Sequence, residues 1–140
     1  MLNEYTSLIV ASSGNAGTNI ANYPAAFEGV VSVTSTSEGS VFSCWATRHE
    51  TVDIAAPGDN VFTTTTSPNE GGFYYNYATG TSFSAPIISG ALGLLKSIYP
   101  DGDNTFLISK IKDNANYYND MDGNCNGENL NGLVGTGELN

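Results

Sequence analysis

The sequence predicts an α/β fold with a mostly parallel sheet, and three observations lead there. Short continuous apolar runs recur early in the chain, the first bounded by Gly14 and the third stopped by Pro57-Gly58, as in strands buried on both faces. One long segment then changes to helical period. Buried strands followed by helices are the pattern of an α/β layer architecture.

The elements follow in order. Ser7 to Ser12 is the first run, bounded by Gly14, and Gly29 to Thr34 is the second. Val52 to Ala56 is the third, stopped by the turn signal Pro57-Gly58. Val61 to Thr66 and Phe73 to Tyr77 are β-branched and aromatic, and the Gly- and Pro-containing break between them predicts a hairpin with a long loop. From Ser84 to Tyr99, Ile87, Ile88, Ala91, Leu92, Leu94, Leu95 and Ile98 cover more than half of a helical circumference, which predicts a helix buried on most sides. Thr81 or Ser82 is its expected cap, with Pro86 in the first turn and Pro100 just past the last. A second helix is expected from Asn104 or Thr105 to about Ala115, then an Asn-, Asp- and Gly-rich loop to Asn131 and a short closing segment. The intervals Asn15 to Glu28 and Ser35 to Thr51 carry no helical stripe, so these connections are irregular or the crossover helices lie outside the chain.

The chain of 140 residues, 40% hydrophobic and 11% aromatic, suffices for one core. Four Lys plus Arg against fourteen Asp plus Glu give a net charge of −10, with the cations scattered at Arg48, Lys96, Lys110 and Lys112. Nucleic acid and anionic membranes are excluded as partners, because phosphate binding needs clustered cations. No run approaches the roughly 20 apolar residues of a spanning helix. The opening Met1-Leu2-Asn3-Glu4 also lacks the regions of a signal peptide, so a soluble chain is expected. Abundant Gly, Asn, Ser and Thr with scarce Lys favour a secreted protein. Cys44 and Cys125 could close one disulfide or stand as two unrelated thiols.

Thr79-Gly80-Thr81-Ser82-Phe83-Ser84-Ala85-Pro86 places a hydroxyl where a strand-like segment hands over to the long helix. Unpaired N–H groups at a helix N-terminus favour developing negative charge, which suits a nucleophile there. A plain N-cap is the other reading of Ser82.

The rest of the chain bears on that choice. Gly80-Thr81-Ser82-Phe83-Ser84-Ala85-Pro86 resembles the nucleophile motif of subtilisin-like serine peptidases, with Ile87 where the family commonly has His. Ala11-Ser12-Ser13-Gly14-Asn15, Tyr23-Pro24-Ala25-Ala26, Val30-Val31-Ser32-Val33, Val52-Asp53-Ile54-Ala55-Ala56-Pro57-Gly58 and Gly132-Leu133-Val134-Gly135-Thr136-Gly137 resemble further family segments in the family's order, covering nearly all of residues 7 to 139. The resemblance implies a partial subtilisin-like three-layer fold, in which residues 1–140 form the C-terminal portion of one incomplete peptidase domain. It implies that Ser82 attacks the scissile carbonyl, that Asn15 and the Ser82 backbone N–H hold the oxyanion, and that Ser12, Ser13 and Gly14 line the pocket for the residue before the cleaved bond. Substrates would be peptides or proteins, and the chemistry would need no cofactor.

Serine needs a base, and the base needs an orienting group. In the family both precede the nucleophile, and here they would lie before Leu2. His49, the one histidine, is expected to be an exposed loop residue; Asp53 belongs to a strand signature and Asp59 to a turn. The parent is thus expected to be a serine endopeptidase, and this chain alone is expected to be inactive. Its partner would be the missing N-terminal half, and its open edge and uncovered apolar face predict a homodimer, strand exchange or a rearranged fold.

Asp122, Asn124 and Asn126 with Gly127 match the first half of an EF-hand loop, but Leu133 stands where a bidentate Glu is required. A solvated turn is one reading. A structural Ca²⁺ held by Asp120, Asp122, Asn124, Asn126 and Glu128 is the other. The competing function is a non-catalytic pseudo-peptidase or a calcium-binding extracellular module, with a phosphate-binding enzyme disfavoured because no Gly-Lys-Ser/Thr loop is present.

Overall fold

The computed structural model describes residues 7–66, 73–117, 124–125 and 127–140. The first two apolar runs form β1 (Ile9–Ser12) and β2 (Val30–Ser37), paired in parallel from Ile9 opposite Val30 to Ser12 opposite Val33. β3 (Val41–Phe42) turns back antiparallel onto Thr36 and Ser37. β4 (Ile54–Pro57) is parallel to β2, from Val33 opposite Ile54 to Thr36 opposite Pro57. Since Val33 pairs with both Ser12 and Ile54, β1 and β4 flank β2 on opposite sides. The outer side of β4 is covered by the C-terminal segment: Ala55 donates to Gly137 at 2.8 Å and accepts from Leu139 at 2.9 Å. Among the described residues β1 and the two-residue β3 are left with an unpaired edge, and that of β1 is the longer.

The connection after β1 and the one before β4 are irregular, and they are laced to each other rather than to helices. Thr47 N–H donates to Gly14 at 2.7 Å and Arg48 N–H to Thr18 at 3.1 Å. β5 (Val61–Thr66) and β6 (Phe73–Ala78) form the expected hairpin. On its open face Phe62 stacks on Tyr75 and meets Tyr77 at a tilt.

α1 (Thr81–Ile98) and α2 (Asn104–Asp113) follow. Asp103 caps α2 by accepting from Phe106 N–H at 2.8 Å, one residue before the expected start. Alternation along the strands separates two cores. Val31, Val33, Ile54 and Ala56 face Ile88, Leu92, Leu107 and Ile111 on the helices. Ala55 faces the other way, toward Phe42, Ala46, Leu130 and Val134. Helices, sheet and a loop layer make three layers. The expectation that α1 is buried on most sides does not hold within this chain: Ile88 and Leu92 are buried, but Leu94 and Ile98 are 70% and 66% exposed. The sheet and α2 cover one stripe, and nothing among the described residues covers the opposite one.

Cys44 and Cys125 are joined in a disulfide, with Cα atoms 5.4 Å apart and a sequence separation of 81. Cys125 lies in β7 (Asn124–Cys125), which pairs antiparallel with β8 (Glu128–Asn129). This two-residue hairpin replaces part of the irregular loop expected from composition. Closing so long a loop restricts the unfolded chain, and about 2–5 kcal/mol of stability is expected to disappear on reduction or in Cys44→Ser/Cys125→Ser. Denaturant midpoints with and without reductant measure it; coincident midpoints would contradict it.

Candidate functional site

β1 ends at Ser12, and the loop beyond it approaches the start of α1. The cap of α1 is Gly80, not Thr81 or Ser82, and no side chain of its own caps it. The substitute comes from 66 residues upstream: Asn15 Oδ1 accepts from the Thr81 N–H at 3.0 Å and from the Thr81 hydroxyl at 2.8 Å. The hydroxyl oxygen of Thr81 in turn accepts from Gly14 N–H at 3.2 Å. A backbone N–H can only donate, so the atom of Asn15 facing it must be the carbonyl oxygen. The amide nitrogen is thereby left free to donate elsewhere. It passes beside Gly80, where an added Cβ would lie 3.3 Å from Nδ2.

Ser82 is the second residue of α1 and is exposed. At that position a helix amide has no intrahelical acceptor, so hydroxyl and N–H are presented together. Pro86 lies in the second turn rather than the first, and its missing N–H removes the donor that Ser82's carbonyl would receive. The Ser84 hydroxyl is fully buried and has no hydrogen-bond partner among the described residues. It lies directly against Gly58, whose N–H donates to Thr36 at 3.1 Å and whose carbonyl accepts from Gly80 at 2.8 Å. A Cβ at Gly58 would also meet Ser35 Oγ at 2.6 Å. Gly58→Ala is therefore expected to wedge β4 from α1 and cost about 1–3 kcal/mol. Thermal unfolding tests it, and an unchanged midpoint would show that the contact relaxes freely.

The three expected pocket residues have different fates. Gly14 lines a recess of about 310 Å³ with Asn15, Thr18, Ile20, Asn22 and Thr47. Ser13 is turned inward, 2% exposed, its hydroxyl donating to Thr47 at 3.0 Å. Ser12 is half-buried at the end of β1. Nothing local in the sequence assigns Thr81 a site role, although its hydroxyl stands next to Ser82. Thr18, Ile20, Asn22 and Thr47 carried no local signal, because tertiary folding alone brings them to Gly14.

His49 is half-buried, not an exposed loop residue. Its Nδ1 lies 3.0 Å from the Thr51 hydroxyl and accepts from Thr51 N–H at 3.2 Å, while its backbone N–H donates to Leu133 at 2.8 Å. These contacts order the loop before β4. Asp53 is structural as expected, one oxygen accepting from Ser32 N–H at 2.9 Å and the other meeting Lys112 at 2.7 Å. Asp59 accepts from Ser37 and Thr79, each at 2.9 Å, across its turn.

Of the calcium candidates, Asp120, Asp122 and Asn126 lie outside the described residues, and Asn124 is described in its backbone alone, within β7. The Glu128 carboxylate is engaged by Arg48, and Asn124–Cys125 paired with Glu128–Asn129 make a hairpin. Among the described residues no group of three or more His, Cys, Asp or Glu is arranged to hold a metal ion.

Comparison with known proteins bears on the whole chain. The subtilase family (peptidase S8) matches residues 1–137. The chain is 34% identical over 110 residues to a thermostable alkaline protease of Halalkalibacterium halodurans, covering 79% of this chain and 29% of that protein. It is 32% identical over 109 residues to the halolysin-like extracellular serine protease Nep of Natrialba magadii, covering 78% and 19% respectively. A protease of Pseudoalteromonas arctica superposes with a TM-score of 0.83 at 25% identity, over 96% of this chain and 41% of that one. The chain thus spans well under half the length of each. The fold is a partial subtilisin-like fold, and the chain belongs to the subtilase family.

Proposed function

We propose that residues 1–140 are the C-terminal portion of a subtilisin-like catalytic domain, and that the intact protein is a serine endopeptidase with Ser82 as nucleophile. The observation that carries this reading is the pair of hydrogen bonds from Thr81 to Asn15 Oδ1, which leave the amide nitrogen beside Gly80, two residues before Ser82. Ser82 Oγ attacks the carbonyl carbon while an upstream imidazole takes its proton. The carbonyl oxygen becomes an anion and receives hydrogen bonds from Asn15 Nδ2 and Ser82 N–H. Collapse expels the amine, which leaves with that proton, and water hydrolyses the acyl-enzyme. A neutral amide suits the task because it donates without first losing or gaining a proton.

The substrates are peptides or proteins, and the protein acts outside the cell. The Cys44–Cys125 bridge supports that location, since disulfides persist in oxidising compartments. The base and its orienting acid come from an N-terminal half that pairs along β1 and covers Leu94 and Ile98. Without a base, an oxyanion hole retains about 10³–10⁴ over water, a magnitude measured in subtilisin itself.

A fluorophosphonate probe distinguishes the cases. This chain alone is expected to remain unlabelled, and mixing it with the separately produced N-terminal half is expected to give labelling that Ser82→Ala abolishes. Labelling that survives Ser82→Ala would refute the assignment. Sedimentation of the chain alone is expected to show association through the uncovered β1 edge; a stable compact monomer would count against it.

A further inference from the structure

The loop carrying Asn15 has neither helix nor strand to hold it, and it turns through glycines at positive φ, Gly14 at 107° and Gly17 at 61°. The Asn15 side chain touches the α1 side of the site through Thr81. What fixes the other side is the segment 47–48. Thr47 N–H donates to Gly14 at 2.7 Å, and Thr47 Oγ1 accepts from Ala16 N–H at 3.3 Å. Arg48 N–H donates to Thr18 at 3.1 Å, and Arg48 Nη1 to the Gly17 carbonyl at 2.9 Å. These four bonds bracket Asn15 on both flanks.

Arg48 is 3% exposed, buried unlike the three lysines. Its Nε donates to Glu128 Oε2 at 2.9 Å, and Nη2 meets the same oxygen. Four residues before it, Cys44 is bonded to Cys125, and Cys125 faces Glu128 across the β7–β8 pair. The hairpin therefore grips 44–48 at two points, one covalent and one ionic, while Arg48 reaches on to Gly17. A planar guanidinium serves both directions at once; a lysine ammonium on a flexible stem does not.

We infer that Arg48, anchored by Glu128 and the Cys44–Cys125 bridge, is a positioning residue that fixes the Asn15 amide relative to Ser82. The inference rests on the oxyanion role proposed for Asn15. Small misplacement of an oriented group is costly in rate, up to about 100-fold for 1 Å.

The test uses the complete peptidase, with kcat and KM measured per site titrated by fluorophosphonate, for Arg48→Lys and Glu128→Gln, each in the native and the Asn15→Ala backgrounds. Arg48→Lys is expected to lower kcat about tenfold with KM within about twofold, and to cause no further loss once Asn15 is Ala. Glu128→Gln follows the same pattern with a smaller loss and decides the matter if Arg48→Lys does not fold. An equal loss in the Asn15→Ala background, or full kcat per titrated site with fewer sites, overturns the inference. Asn15→Ala leaving kcat intact overturns the oxyanion role itself, and with it this inference.

Discussion

In the intact peptidase Ser82→Ala is expected to lower kcat by about 10⁶, the magnitude found on removing the nucleophile of subtilisin, a member of this family. The loss is this large because no other group can form the acyl-enzyme, while the remaining elements of the site act only in concert with it. Ser82 is exposed and makes no core contact, so unfolding midpoints are expected to move by less than about 0.5 kcal/mol equivalent. Steady-state hydrolysis of a peptide anilide, normalised to total folded protein, reads the first quantity. A loss below about tenfold would remove Ser82 from the chemistry.

Asn15 should give the second largest effect, and two substitutions separate its two jobs. Asn15→Ala removes the donor and the acceptor together. The expected loss is about 10²–10³ in kcat, again a subtilisin magnitude, with KM little changed because the interaction forms only as charge develops. Stability should also fall by about 1 kcal/mol, since Thr81 N–H loses the acceptor that replaces a cap. Asn15→Asp keeps an oxygen facing Thr81, so stability should be retained. It places an acceptor, and negative charge, where the donor stood, so its kcat should fall at least as far as that of Asn15→Ala. Activity in Asn15→Asp equal to the native enzyme would show that no donor is needed there.

Much of this fold was legible because its signals are local. The apolar runs at β1, β2 and β4, the Pro57-Gly58 stop and the helical period after Ser84 each report on their own backbone. Local signals mislead where the deciding partner is remote. The apolar width of α1 predicts burial on most sides, yet among the described residues the stripe through Ile88 and Leu92 is the one that finds cover. The Asx-rich stretch before Leu130 suggests oxygen ligands or a solvated turn, yet its described part includes the paired strands Asn124–Cys125 and Glu128–Asn129. Arg48 is one scattered cation in the sequence because its carboxylate partner stands 80 residues away. The site divides the same way. Ser82 and Asn15 were visible through motifs, whereas the bond that joins their neighbourhoods spans 66 residues and runs through Thr81. The inward turn of Ser13 follows from the Thr47 carbonyl, which no local pattern announces.

A crystal structure of the complete domain inactivated by a peptidyl phosphonate or boronate tests the central claim most directly. The account predicts a covalent bond to Ser82 Oγ, with one inhibitor oxygen about 2.7–3.1 Å from both Asn15 Nδ2 and the Ser82 backbone nitrogen. An adduct whose oxygen points into solvent, with the Asn15 amide turned away, would contradict it.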